Sequence, residues 1–256
     1  MPDNDHYVII GNGPAGNHAA IALRKKDKHA RITIISDECV PFYYKPRLID
    51  FIAHKTAKES LMVTSLESCK KQNIRIRLGQ RVARIHPDSK SIFLQHMEKI
   101  NYTKLIIASG SRARLLPSMT SFAGHLNFIT SYTDVMEYKK QIAEANKFFI
   151  FGGDLVGFKF LKMLANMGKN ITFMIDPDSF WPFHLTDDML DKILTNLSKL
   201  NVSIIIDDDI TSIESQENAF MVTTRKGIKK TIDMVFSFNG LIPNIEFAKG
   251  TGIDID

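Results

Sequence analysis

Residues 7–16 read Tyr7-Val8-Ile9-Ile10-Gly11-Asn12-Gly13-Pro14-Ala15-Gly16, and the order of residue types in that stretch decides the fold. A short apolar run leads into glycines spaced Gly-x-Gly-x-x-Gly. Residues 14–26 then read as a helix, and the small side chains of Ala15, Gly16, Ala19, Ala20 and Ala22 let it lie close to a sheet. A second apolar run at 32–35 ends at Ser36-Asp37-Glu38. The three glycines serve different ends. Gly11 makes the tight turn off the strand, Gly13 leaves room for a pyrophosphate against the backbone, and Gly16 lets helix and sheet pack closely. The helix beginning near Pro14 and Ala15 points free N–H groups and a partial positive charge at the same place. Asp37 and Glu38 follow at the distance where a carboxylate accepts hydrogen bonds from a ribose, and either can do so.

The pattern recurs. An apolar run at 148–151 leads into Gly152-Gly153-Asp154-Leu155-Val156-Gly157, residues 155–167 read as a helix, and a strand at 171–175 ends at Asp176. Each copy has the length of a strand–helix–strand unit, about 30 residues. Further strands are expected at 74–78, 82–85, 91–94, 105–108, 202–206, 220–224 and 234–238, with helices at 132–145 and 187–200. No Gly/Ser linker separates the copies. The fold class is therefore α/β, with two Rossmann-like dinucleotide-binding units in one chain.

Composition narrows the setting. The 256 residues are 44% hydrophobic and 24% charged, ordinary for a globular chain that buries a core. The opening residues lack the basic start of a secretory signal, and no stretch reaches the roughly 18 apolar residues of a membrane span. Two cysteines, Cys39 and Cys69, cannot build a disulfide framework, so a reducing, cytoplasmic setting is expected. Cys39 reads as a small buried residue. The eight histidines show no metal-ligand spacing, and no metal is expected. The net charge of +5 comes with no basic block interleaved with aromatics, which argues against nucleic acid as a partner. An acidic electron-carrier protein would be drawn by that charge.

The segments YVIIGNGPAGNHAAIALRKKD, ITIISDE, PFYYKPRLIDFIA, KLIIASGSR, FIFGGDLVG and VFSFNGLIPN, in this order, resemble the FAD-dependent pyridine nucleotide–disulfide oxidoreductase superfamily. The branch is that of NADH:rubredoxin reductases, NADH oxidases and the flavin portion of nitrite reductase. The resemblance implies an FAD-binding first segment at 1–113, an inserted NAD(P)-binding-like unit at 114–239, and a return towards the FAD unit at 240–256. It implies FAD with its ADP half on Gly11, Gly13, Pro14, Ala15 and Gly16, a ribose on Asp37 or Glu38, and adenine near the backbone of Val82. Ala108-Ser109-Gly110 stands where the family has Ala-Thr-Gly. The loop Tyr44-Lys45-Pro46-Arg47 is expected to approach the flavin. Lys45 is its expected polar contact and the candidate catalytic residue, because a cation favours negative charge on a reduced ring. The activity implied is NADH:acceptor oxidoreduction, the acceptor being a small redox protein or a small molecule. An oligomer is compatible with the resemblance.

Four features depart from the family. Asp154 stands where the second loop, otherwise built by Gly152, Gly153 and Gly157, needs bare backbone for phosphates. Two like charges about 4 Å apart repel by roughly 4 kcal/mol at an effective dielectric near 20, so NADH binding is expected to be impaired. Lys159 stands where relatives place a glutamate near the nicotinamide. Asp176 is placed to hold a ribose, although one residue later than in relatives. Relatives also continue past residue 256 with an Ala-x-Gly-Asp segment that closes the FAD site. The chain is accordingly expected to be a fragment or a short form that works differently, and the alternative to an enzyme is a non-catalytic FAD-, ADP- or AMP-binding subunit or sensor.

Overall fold

A computed structural model of the chain describes residues 5–175 and 186–254. The opening stretch forms β1 (His6–Ile10), α1 (Pro14–Lys26) and β2 (Arg31–Ile35). The strands run parallel, with Tyr7 opposite Ile32 and Ile10 opposite Ile35. Val8, Ile9, Ile32, Ile34 and Ile35 are buried, as expected for parallel strands covered on both faces. α1 starts with Pro14, which suits a position whose N–H has no helical partner. At its other end the Arg24 guanidinium donates to the carbonyls of Asp27, Lys28 and Ala30, and to those of Gln72 and Asn73. One side chain thus closes the helix and ties it to the start of the next strand.

Three short helices follow, α2 (Leu48–Ile52), α3 (Lys58–Leu61) and α4 (Leu66–Lys71), and lead to β3 (Ile74–Arg77). An antiparallel sheet of β4 (Val82–His86), β5 (Ser91–Leu94) and β6 (Lys99–Asn101) comes next, and β7 (Lys104–Ile107) then returns beside β1. The parallel sheet has the order β3-β2-β1-β7. After β8 (Ser111–Ala113) the second unit opens with α5 (Tyr132–Glu144), β9 (Lys147–Gly152), α6 (Leu155–Asn166) and β10 (Asn170–Ile175). It continues through α7 (Asp187–Leu197), β11 (Val202–Ile206), the antiparallel strands β12 (Ile210–Ser215), β13 (Phe220–Thr224) and β14 (Lys229–Ile232), and β15 (Met234–Phe238). Its parallel sheet has the order β11-β10-β9-β15. The two units therefore repeat one arrangement, a four-stranded parallel sheet with a three-stranded antiparallel companion.

The last strand, β16 (Leu241–Pro243), pairs antiparallel with β8. Beyond it Ala248 is buried among Val8, Ile35 and Val82 of the first unit. A single apolar core joins the units: Leu48, Phe51, Ile52 and Leu61 pack with Tyr132, Val135, Phe160 and Phe236. Cys39 corrects the sequence expectation, since it is exposed, whereas Cys69 is buried. Cys39 lies where the chain leaves the sheet after β2, and the burial preference of a thiol does not override that position. No helix among the described residues is long and apolar enough to cross a membrane, and none of their His, Cys, Asp and Glu side chains group in threes that could hold a metal ion.

Candidate functional site, a nucleotide cleft

The first glycine loop sorts its three glycines by what surrounds them. A Cβ on Gly11 would lie 2.0 Å from the carbonyl oxygen of Ala108, and φ there is +109°. A Cβ on Gly16 would lie 2.0 Å from the Gly11 carbonyl oxygen. Both positions are closed to any side chain. Gly13 differs, because a Cβ there meets nothing within 4 Å. It is the N-cap of α1, and no side chain bonds to the helix N–H groups behind it. Free donors facing open space make an anion seat.

That seat opens into a cleft of about 1080 Å³, slightly above the usual range for small-ligand sites. Gly11, Gly13, Pro14, Ala15, Asp37, Glu38, Lys45 and Val82 line it, as do Ala108, Ser109 and Gly110. Gly16 lies beneath the loop. Several lining residues carry no role in the sequence reading: Thr130, Ser131, Asn244 and Glu246 come from distant parts of the chain. Ser131 has a legible signal, since Ser131-x-x-Asp134 forms a capping box at the start of α5. Asn244 clamps the Ala108-Ser109-Gly110 turn. Its N–H donates to the Gly110 carbonyl (2.9 Å), its amide to the Ser109 carbonyl (3.1 Å), and its own carbonyl accepts from the Ser109 hydroxyl (2.7 Å). Arg112 forms an ion pair with Glu246 in the same corner.

The structure separates Asp37 from Glu38. Asp37 is exposed on the cleft wall. The Glu38 carboxylate is already engaged: it accepts from the Tyr43 hydroxyl (2.7 Å) and pairs with the Lys45 ammonium (3.3 Å). Burial of the Tyr43 ring, and after it the negative charge of Glu38, raise the Tyr43 hydroxyl above the ordinary tyrosine range. Tyr43 in turn accepts from the Tyr132 N–H (2.8 Å), and Lys45 donates to the Thr130 carbonyl (3.0 Å). Lys45 is therefore fixed between the two units. Pro46 does not line the cleft; its carbonyl accepts from the Lys159 ammonium (2.9 Å), which also pairs with Asp50 (2.8 Å).

The second loop has the same backbone and a different centre. Gly152 has φ +100°, and a Cβ there would lie 2.2 Å from the Phe238 carbonyl oxygen, while one on Gly157 would lie 2.9 Å from the Phe238 Cβ. Gly153 donates its N–H to the Phe238 carbonyl. These glycines serve close packing. Asp154 is the N-cap of α6 and is 9% exposed, and its carboxylate accepts the Gly157 N–H at 2.8 Å. Burial raises its carboxyl above the ordinary value, opposed by the backbone N–H groups of Gly157, Val156 and Gly240. From sequence, this charge is expected to face an incoming phosphate; the structure turns it inward onto the helix donors. Asp176 lies outside the described residues.

A family model described as pyridine nucleotide-disulphide oxidoreductase matches residues 5–256. The chain belongs to that family. It is 25% identical to putidaredoxin reductase of Pseudomonas putida, over all of this chain and 62% of the relative. It is 29% identical to an NADH-rubredoxin oxidoreductase of Clostridium acetobutylicum, over 89% of this chain and 59% of the relative. Among solved structures, a water-forming NADH oxidase from Lactobacillus brevis bound to NADH superposes with a TM-score of 0.88 at 18% identity, over 99% of this chain and 57% of that one. The putidaredoxin reductase–putidaredoxin complex superposes at 0.86 with 24% identity, over 99% of this chain and 62% of that one. These likenesses show the fold. The chain spans about three-fifths of the length of the curated relatives it matches.

Proposed function

We propose that the chain is the nucleotide-binding portion of an FAD-dependent NADH:acceptor oxidoreductase, with FAD seated in the first cleft. The single observation behind this is Gly13: an open, uncapped helix N-terminus between two sterically closed glycines, inside a cleft large enough for a dinucleotide. In this reading the diphosphate lies on the loop from Gly11 to Gly16, Asp37 takes the ribose hydroxyls, and the Val82 backbone meets the adenine. Ala108, Ser109 and Gly110 pass beneath the diphosphate as a turn held in shape by Asn244. The 1–113, 114–239 and 240–256 segments act as FAD unit, NAD(P)-like unit and return segment.

Bound FAD would supply two-electron uptake and its release to an acceptor. Lys45 presents a fixed positive charge on the cleft wall, oriented by Glu38 and Thr130, where it favours an electron-rich ligand. A small redox protein is the acceptor we favour, by likeness to relatives named for putidaredoxin and rubredoxin, in a reducing, cytoplasmic setting. The second reading, a subunit that holds FAD, ADP or AMP without turnover, is favoured by one observation, the inward Asp154 carboxylate at the second loop.

The test is the visible absorbance of the purified protein, followed by identification of released nucleotide and anaerobic titration with NADH in the presence of an oxidised rubredoxin. Flavin absorbance that bleaches with NADH and recovers with rubredoxin supports the enzyme. Flavin without bleaching supports the binding subunit, and absence of any nucleotide affinity sinks both.

A further inference from the structure

The two glycine loops of this chain are the same backbone device in two states, and the difference rests on one side chain. At each, the residue two past the first glycine is the helix N-cap in extended backbone: Gly13 at φ −80°, ψ −170°, and Asp154 at φ −76°, ψ 166°. Behind Gly13 the helix donors are bare. Behind Asp154 the carboxylate takes the Gly157 N–H and lies within reach of the Val156 and Gly240 N–H groups. A pyrophosphate needs the same donors.

We propose that the Asp154 carboxylate is a built-in occupant of the pyrophosphate seat in the second unit, and that it lowers NADH affinity by holding the donors rather than by repelling the ligand at a distance. The inference rests on the reading of the first cleft as the FAD site, and concerns how the second site is set. Three observations point to occupancy. The carboxylate is nearly buried, so it is not an exposed charge facing an approaching phosphate. Its donors are backbone groups that cannot turn elsewhere. The glycines around it are pinned by Phe238, so the loop cannot open a second set of N–H groups without moving β15. A diphosphate must therefore displace Asp154 before it gains any bond of its own.

Occupancy and repulsion make different predictions for asparagine. Asp154→Asn keeps an oxygen that accepts from the Gly157 N–H but carries no charge. Asp154→Gly removes both oxygen and charge, and glycine is itself an accepted N-cap residue, so that variant is expected to fold. The experiment is a calorimetric titration of NADH, and separately of ADP-ribose, into the FAD-loaded wild type, Asp154→Asn and Asp154→Gly. Flavin absorbance checks that the first site is filled in each. Occupancy predicts at least tenfold tighter binding of both ligands in the glycine variant and less than threefold change in the asparagine variant. Equal gains in the two variants would show that charge alone acts, and wild-type NADH affinity already in the low micromolar range would overturn the proposal. Failure of FAD to load would instead count against the reading of the first cleft, which keeps the two outcomes apart.

Discussion

At Gly13 an added Cβ is sterically free, so what a side chain does there is decided by the helix donors it would reach. Gly13→Asp places a carboxylate where Asp154 sits in the second unit, and it should cap α1 in the same way. The expected result is a folded protein with ADP and FAD binding abolished by calorimetry; unchanged ADP binding would remove the first loop from the site. Asp37 and Glu38 can be told apart by ligand choice. Asp37→Asn should weaken ADP and FAD alike, because the ribose is common to both. Glu38→Gln should leave ADP within about twofold and weaken FAD by about tenfold, since it releases Lys45 and costs one charge-assisted hydrogen bond of about 1.5 kcal/mol. Parallel loss of ADP and FAD affinity in Glu38→Gln would make Glu38 the ribose acceptor.

Among the elements, long periodic ones are legible from sequence and short ones are not. Strands β1, β5, β9, β11, β13 and β15 and helices α1, α5 and α6 fall within a residue or so of the expected spans, because apolar runs and small-residue helix faces state their partners directly. The helices α2 to α4, each of six residues or fewer, give no such signal. Too few turns exist to show a period, and α2 owes its place to packing against α5 and α6. Strands β8 and β16 exist only as partners for each other, so neither reads as a strand alone. The site divides in the same way. Its glycine loop and acidic turn are contiguous and can be read, whereas Asn244, Thr130 and the Lys159–Asp50 pair arise from tertiary closure. One pairing between elements carries a pH signature. Arg77 at the end of β3 donates to both oxygens of Glu98 in the turn between β5 and β6 (2.6 Å each). The Arg77 hydrogen bonds, with a smaller part from His96, lower the Glu98 carboxyl from 4.5 to about 2. A depressed folded pKa gives stability that is fully present above about 4.5 and lost as pH falls through about 2. Glu98→Gln should therefore flatten the urea midpoint across that interval while leaving other acid-labile steps in place. An acid limb identical to wild type would mean the pair contributes nothing to folding.

On the scale of the whole molecule, the two repeated units are joined by a core rather than by a hinge. Phe51 of α2 is 7% exposed, stacks on Tyr132 of α5 with ring centroids 5.8 Å apart, and carries the Lys139 ammonium 4.1 Å above its ring. Around it lie Leu48, Ile52 and Leu61 from the first unit and Val135 and Phe160 from the second. Two ties cross beside this core, Lys45 to the Thr130 carbonyl and Lys159 to Asp50 and the Pro46 carbonyl. If the units were independent, removing Phe51 would loosen only the helices that contact it. A shared core makes a different claim. Phe51→Ala removes packing from both sides of the junction and should cost about 3–5 kcal/mol, a large share of the stability of a folded chain. The loss should appear equally in β1 and β2 of the first sheet and in β9 and β10 of the second, because their slowest amides open only when the common core opens. Native-state hydrogen exchange read strand by strand measures this directly. Loss of protection in both sheets by the same free energy supports a single cooperative body. Loss confined to one sheet, with the other still at its wild-type value, would show that the glycine loops sit on units that unfold separately, and that the ties at Lys45 and Lys159 are surface contacts only.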